Sequence, residues 1–442
     1  MLRRFDLRGD LPGSTADLRA ALPRPDLGAP GSEGAVLSAV RTILDDVKAR
    51  GDEALRELTS RFDGAEPTAI QVDPVEVAAA LDRIDPVLRT ALEVAAEAIQ
   101  RHHVGQVRSE YRTEDAGLVV RSVSRPVERA GCYVPGGRAA YPSTVLMTAV
   151  PARVAGVDEV VVCVPPDPDG RVAEVTLAAA AVAGVDAVYA VGGAQAVAAM
   201  AFGTESIPSV DVIVGPGNVY VALAKREVAG QVGVPSAFAG PSEVVVVADA
   251  TVPPDFAAID VVVQAEHGPD GLAWLVTWDE AVADAVEAEV VRIAEAAPRR
   301  SEITATLAAS GWSVLVDGPD EALAIADAIA PEHLQLMVAG AGEMAERVRN
   351  AGAVFCGPWS PASLGDYVAG PSHVLPTAGT ARFAGALTVS DFTRDIHLIS
   401  ADRQALLRLA PHVVALADAE GLDAHAESVR LRTAWTAGSD DG

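Results

Sequence analysis

The sequence predicts an α/β protein built on two parallel sheets, with an extended arm ahead of them and a helical tail behind. Three observations carry that expectation. From about Val157 onward, short apolar runs alternate with helical stretches of ten or more residues, the spacing that crossovers between parallel strands require. The apolar half of the composition is mostly Ala, Val and Gly with only 4% aromatics, which suits parallel strands under close-packed helices. Finally, 442 residues at roughly 150 per domain leave room for about three compact bodies.

Taken in order, residues 1 to about 30 are rich in Pro, Gly and charge and read as an extended arm. Two long helical patterns follow, Glu33 to Phe62 and then Asp73 to about His103. The second opens with a capping Asp73 and with Pro74 at the first helical position. Strands are expected at Glu159–Val164, Ala187–Val191 and Asp211–Val214, each followed by a helix. A second series runs through Glu243–Ala248, Leu272–Trp278, Ser313–Val316, Leu334–Val338 and Ala353–Phe355. The two series share a pattern without a residue-level repeat. After about Leu387 the strand signal stops, and residues 402–435 read as two helices broken near Gly421. So short a pair cannot bury enough surface alone and must dock on its own body or on a second subunit.

Charge and cysteine usage exclude whole classes of function. Lys plus Arg is 34 against 61 Asp plus Glu, a net charge of −27, which disfavours nucleic acid and anionic membrane as partners. Three widely spaced cysteines, Cys132, Cys163 and Cys356, fit neither a disulfide framework nor an all-thiolate zinc site. Met1 to Asp10 lacks the apolar core of a signal peptide, and Ala187 to Gly203 is broken by Gly192-Gly193, so a soluble cytoplasmic protein is expected.

Four segments concentrate chemistry. Gln264 and His267 are three apart near the end of a predicted helix, so an amide oxygen and an imidazole share one face and could meet one metal ion. A pair at this spacing is more often a satisfied surface pair, and Glu266 faces elsewhere. Glu332 and His333 stand side by side before a strand, a carboxylate and an imidazole suited to proton transfer near neutral pH, though such a pair alone is weak grounds for catalysis. Ser360–Thr377 packs Asp366 and His373 into a loop without helical period, and Glu420 and His425 flank the break at Gly421. Gln264, His267, Asp366 and His425 make a plausible N/O set for zinc. Gly-rich turns at Tyr133–Gly137, Val191–Gln195 and Gly215–Asn218 could hold phosphate or ribose through backbone N–H groups. None is a true G-x-G-x-x-G, since Tyr220 stands where the last glycine is due, and each alone reads more readily as a simple cap. His102 and His103 end a helix, and His397 and His412 carry no assigned role.

Together, CYVPGG, VGGAQAV, VGPGNVYVALAKR, AGPSEVVVVAD, QAEHGPD, APEHLQL, LGDYVAGPSHVLPT and AEGLDAHAESVRLR resemble the histidinol dehydrogenase family, in the family's order and from the first long helix to the tail. The resemblance implies two Rossmann-like α/β domains of the aldehyde dehydrogenase-like kind. Residues 1–28 would be the arm, 29–130 with 239–387 the catalytic and metal-binding domain, 131–238 the NAD-binding domain, and 388–442 a helical tail exchanged across a homodimer. It implies oxidation of L-histidinol through its aldehyde to L-histidine, the last steps of histidine biosynthesis, with Zn2+ and NAD as cofactors. Zinc would be held by Gln264, His267, Asp366 and His425, which with Ser242, His333 and Glu420 also touch the substrate. His333 and Glu332 would accept protons in the first and second oxidations, and Tyr133, Gln195 and Asn218 would touch NAD.

Other readings compete. An aldehyde dehydrogenase-like enzyme for another amino alcohol shares the two-sheet logic, but no Cys-centred catalytic loop is evident. A zinc hydrolase using Glu332 as base would need no dinucleotide. A non-catalytic binding protein with two lobes fits poorly with so many ionisable residues in loops. The cysteines are expected to be small buried hydrophobes, with a nucleophilic Cys132 or Cys356 as the competing possibility.

Overall fold

The structure is a computed structural model that describes residues 1–23, 32–66, 69–136, 139–235, 242–266 and 271–435. In chain order the first strands are β1 (Arg3–Asp6), β2 (Tyr111–Asp115), β3 (Leu118–Pro126), β4 (Arg129–Tyr133), β5 (Glu159–Val164), β6 (Ala187–Ala190) and β7 (Val212–Val214). They are followed by β8 (Glu243–Ala248), β9 (Leu272–Thr277), β10 (Gly311–Leu315), β11 (His333–Met337), β12 (Ala353–Cys356) and β13 (Thr393–Ala401). The chain divides into two compact units, Met1–Gln106 with Val127–Phe392, and Val107–Pro126 with Thr393–Gly442.

The first unit holds both predicted parallel sheets, ordered β6-β5-β4-β7 and β1-β10-β9-β8-β11-β12. Their strands are buried on both faces, which explains the valine runs EVVVCV and EVVVVA. In β5, Val160, Val162 and Val164 pack against the helices Pro142–Ala155 and Glu174–Ala183, while Val161 and Cys163 face the opposite core. Val245 and Val247 of β8 likewise face one core and Val244 and Val246 the other. Each sheet reverses its winding once. The chain runs β4, β5, β6 outward and returns to lay β7 beside β4; it runs β8, β9, β10 outward and returns to lay β11 beside β8.

The extended arm carries an edge strand, since Arg3–Asp6 pairs with Trp312–Leu315 and Arg3 lies over the Trp312 ring. The helices between residues 32 and 104 join the four-stranded sheet, since Leu55 and Leu58 pack with Tyr189 and Val197, and Leu92 and Ile99 with Val145 and Leu177. Both long helical patterns are also interrupted, at Gly51 in the left-handed region (φ 56°) and at Pro86, which opens a new helix capped by Asp85.

The second unit is an antiparallel sheet β13-β3-β2 with the helices Arg403–Glu420 and Asp423–Ala434, and β13 corrects the expectation that strands end near Leu387. The two tail helices break at Gly421 (φ 70°), as the sequence predicts. Ala116 and Gly117, both at positive φ, turn the β2–β3 hairpin. No helix among the described residues is long and apolar enough to cross a membrane.

Candidate active site

Glu332 and His333 sit at the amino end of β11, beside the amino end of β8, where the six-stranded sheet reverses. The preceding helix Pro319–Ile329 ends on Ala330 in the left-handed region, and Pro331 then turns the chain into the strand. Both side chains are buried. Glu332 Oε2 accepts the backbone N–H of Glu243 at 3.0 Å, and the Ser242 hydroxyl hydrogen-bonds to the same carboxyl group. His333 Nδ1 lies 3.3 Å from the Glu243 carbonyl, which can only accept, so Nδ1 carries hydrogen and Nε2 is the nitrogen that gains or loses the proton. That nitrogen is 3.5 Å from Asp366 Oδ1. Burial pushes the Glu332 carboxyl well above the usual carboxylate range. Burial pulls the His333 imidazole down, but the Glu332 and Asp366 carboxylates outweigh it and raise the group overall. The two are 3.7 Å apart and titrate as a pair.

Asp366 is carried by a short helix, Ala362–Tyr367, inside the segment expected as a plain loop. Its approach depends on Gly365, where a Cβ would stand 2.7 Å from the Phe355 ring, and that ring stacks on His333 at 5.9 Å. His373 secures the segment. Its Nδ1 donates to the Asp366 carbonyl at 3.0 Å, and its Nε2 is 3.2 Å from Thr144 Oγ1 in the first turn of the helix after β4. Gln264 is buried in the last turn of the helix Pro254–Ala265, and its Nε2 has no hydrogen-bond partner among the described residues. Rotating that amide by half a turn presents an oxygen instead. Glu266 is exposed, as expected. His267 lies outside the described residues, and Glu420 and His425 belong to the second unit, at the end of one tail helix and within the next. Among the described residues no three His, Cys, Asp or Glu side chains gather as a metal site. The buried amide and the carboxylate beside an imidazole nonetheless match the N/O donors that zinc accepts.

The three glycine turns lie at the carboxyl edge of the four-stranded sheet. Tyr133 ends β4 and is buried, with its hydroxyl accepting the Gly193 N–H at 3.1 Å. Gln195 is buried, and its Nε2 lacks a partner among the described residues. Asn218 is exposed and caps the helix Val219–Val228, its Oδ1 accepting from Tyr220 and Val221. Gly193 (φ 64°) and Gly215 (φ 105°) both require left-handed backbone, and a Cβ at Gly215 would collide with the Tyr133 carbonyl. Backbone therefore packs closely at the carboxyl ends of β4 and β7, where the winding reverses, the place at which open α/β sheets commonly take a ligand.

Sequence reasoning missed Glu243, whose N–H and C=O hold Glu332 and His333 and whose Oε1 accepts from Ala378 N at 3.1 Å. A carboxylate opening the apolar run EVVVVA was the available signal. It also missed Phe355 and Lys225; the latter is buried, donates to the Gly215 carbonyl at 2.9 Å, and is pushed down to about 8 by burial. Cys132 and Cys163 are buried as expected, whereas Cys356 is exposed at the end of β12. Burial raises all three thiols, Cys132 to about 12.

A family profile described as histidinol dehydrogenase matches residues 30–433. The histidinol dehydrogenase of Parasynechococcus marenigrum is 49% identical over 398 residues, covering 90% of this chain and 91% of its own. That of a Synechococcus species is 48% identical over 398 residues, covering 89% and 92%. The crystal structure of histidinol dehydrogenase from Elizabethkingia anophelis matches with a TM-score of 0.91 at 34% identity, over 98% of each chain.

Proposed function

The chain belongs to the histidinol dehydrogenase family of oxidoreductases, and from that premise we propose that it oxidises L-histidinol through L-histidinaldehyde to L-histidine, using zinc and NAD. The observation that carries this reading is the buried Glu332–His333 pair, with His333 Nε2 set against Asp366 and Ser242 set against Glu332. Such a pair supplies two proton acceptors at one point, which a two-stage oxidation needs.

When bound, zinc would orient the substrate's imidazole and amino nitrogens, and the nicotinamide would accept hydride. This chain's residues do the rest. Gln264, His267 and Asp366, with His425 of the partner subunit, would hold the metal. His333, its Nδ1–H engaged by the Glu243 carbonyl, takes the alcohol proton at Nε2 during the first oxidation. Glu332, fixed by the Glu243 N–H, takes a proton from the water that adds to the aldehyde before the second. The alcohol and one water thus become a carboxylate, with two hydrides transferred and three protons released. Ser242, and Glu420 of the partner subunit, complete the substrate contacts; an anionic Glu420 suits an ammonium or imidazole N–H. Tyr133, Gln195 and Asn218 line the NAD crevice. We place the enzyme in the cytoplasm as a homodimer.

Following NADH formation with L-histidinol tests the whole. Two NADH per histidinol, lost on chelation and restored by zinc, is the expected result; NADH formation indifferent to chelation removes the metal from the scheme, and none at all removes the activity. Sharing across subunits is tested by mixing a His333→Asn chain with a His425→Asn chain, each inactive alone. Recovered activity supports a shared site, and no recovery after verified subunit exchange rejects it.

A further inference from the structure

The site above leaves one buried charge unused. Lys225 is 2% exposed, on the second turn of the helix that Asn218 caps, and its side chain reaches back along the helix so that Nζ donates to the Gly215 carbonyl. Among the described residues it forms no ion pair. An ammonium held by a single carbonyl keeps two N–H groups unspent and carries a large desolvation penalty. A fold has reason to keep such a charge where an anion arrives beside it.

The setting supplies that anion's address. The whole chain carries −27 and repels polyanions, and the three glycine turns contain no Lys or Arg. Arg138 follows the first turn but lies outside the described residues. Lys225 is anchored under the turn at β7, at the winding reversal where Gly215 meets Tyr133. Charge–charge attraction in such a dry setting is far stronger than on a surface.

We propose that Lys225 is a positioning residue for the dinucleotide, its buried ammonium fixing the Gly215–Asn218 turn and drawing the pyrophosphate to the crevice between β4 and β7. This rests on the reading of that crevice as the NAD site, and the test separates the two. NAD, ADP and adenosine are titrated into the zinc-loaded protein by protein-observed NMR with Tyr133 and Gly215 assigned, in the unaltered chain and in the Lys225→Met and Lys225→Arg variants. Losing a charged donor is expected to weaken NAD and ADP by about tenfold or more in Lys225→Met, with adenosine changed by less than about twofold and most of the loss recovered in Lys225→Arg. In steady state, KM for NAD should rise further than kcat falls, with KM for histidinol steady. Should Lys225→Met not fold, Lys225→Gln, which keeps a donor and loses the charge, carries the same contrast between ADP and adenosine. Equal weakening of all three ligands would reduce Lys225 to packing, and unchanged NAD affinity would overturn the proposal outright. An unaltered chain that binds adenosine and ADP nowhere near Tyr133 and Gly215 resonances would instead overturn the crevice assignment, and this inference with it.

Discussion

The two parallel sheets reverse their winding in the same manner, yet they present their chemistry at opposite ends. In the four-stranded sheet the special residues follow the strands, at Tyr133, Gly192-Gly193 and Gly215–Asn218. In the six-stranded sheet they precede or open the strands, at Ser242-Glu243 and Glu332-His333. The difference is physical. A carboxyl edge leads into helix amino termini, so glycine turns there offer backbone N–H groups to a ligand that must be gripped without reacting. The amino edge of β8 instead offers its own N–H and C=O to neighbouring side chains, and Glu243 uses one of each to aim a carboxylate and an imidazole. Under the proposed function, one edge would recognise through backbone and the other would react through side chains.

The largest effect that could break this comparison is expected at His333. His333→Asn should lower kcat by about a hundred- to ten-thousand-fold while leaving NAD affinity within about twofold, as loss of a general base does. Glu332→Gln should spare the first NADH and slow the second, so that aldehyde accumulates and can be trapped. If either change weakens NAD binding as much as it slows turnover, the edges are not functionally separate.

Gly215→Ala probes the other edge with a smaller effect. The new Cβ meets the Tyr133 carbonyl and the φ of 105° is strained for any L side chain, at a cost of about 1–3 kcal/mol. KM for NAD is expected to rise by about tenfold, on the scale of that strain, with calorimetric binding of histidinol to the zinc-loaded protein unchanged. Equal loss of histidinol binding would show that the two edges are coupled through the loop that His373 ties to Thr144.

A third effect is smaller and touches stability alone. Asp260 is buried on the helix Pro254–Ala265 with Oδ2 unpartnered, and burial pushes its carboxyl up to about 6 from 3.8. The folded state therefore prefers the protonated acid, so its contribution is favourable below about pH 4 and is lost as pH rises through 6. Asp260→Asn should accordingly gain about 1–3 kcal/mol at pH 7 and almost nothing at pH 4, read from urea melts at both. A gain independent of pH would place the effect in packing instead of charge.

What the sequence disclosed follows the same division. Most buried strands of both sheets were legible through valine runs such as EVVVCV and EVVVVA, whereas the buried central strand β4, RAGCY, carries no such run and was not expected. β1, β2 and β13 were not, because RRFD, YRTED and TRDIHLISA are largely exposed edge or hairpin strands whose side chains meet solvent on both faces and lose the alternation that marks a half-buried strand. The placement of the first four long helices was hidden for a related reason: an amphipathic stripe says that a face is buried and not which sheet buries it. In the site, Glu332 and His333 could be found as neighbours in sequence, whereas Glu243 acts through its backbone and Phe355 through a ring face, roles that no residue-type pattern encodes.

The smallest effect is expected where aldehyde oxidation most often finds its nucleophile. Cys132 lies on β4 in the four-stranded sheet and Cys356 closes β12 in the six-stranded sheet, so together they sample both. A nucleophilic thiol needs a depressed pKa and access. Cys132 has neither, being fully buried and pushed up to about 12 by burial, and Cys356 is exposed but also raised, by partial burial and by Glu346. Replacing both with Ala should therefore leave each oxidation step within about twofold of the unaltered chain, since neither thiol is both accessible and activated. A thiohemiacetal trapped during turnover, detected as a mass increase on either cysteine, would move the second oxidation from water activated by Glu332 to a covalent route and dissolve the distinction between the two edges.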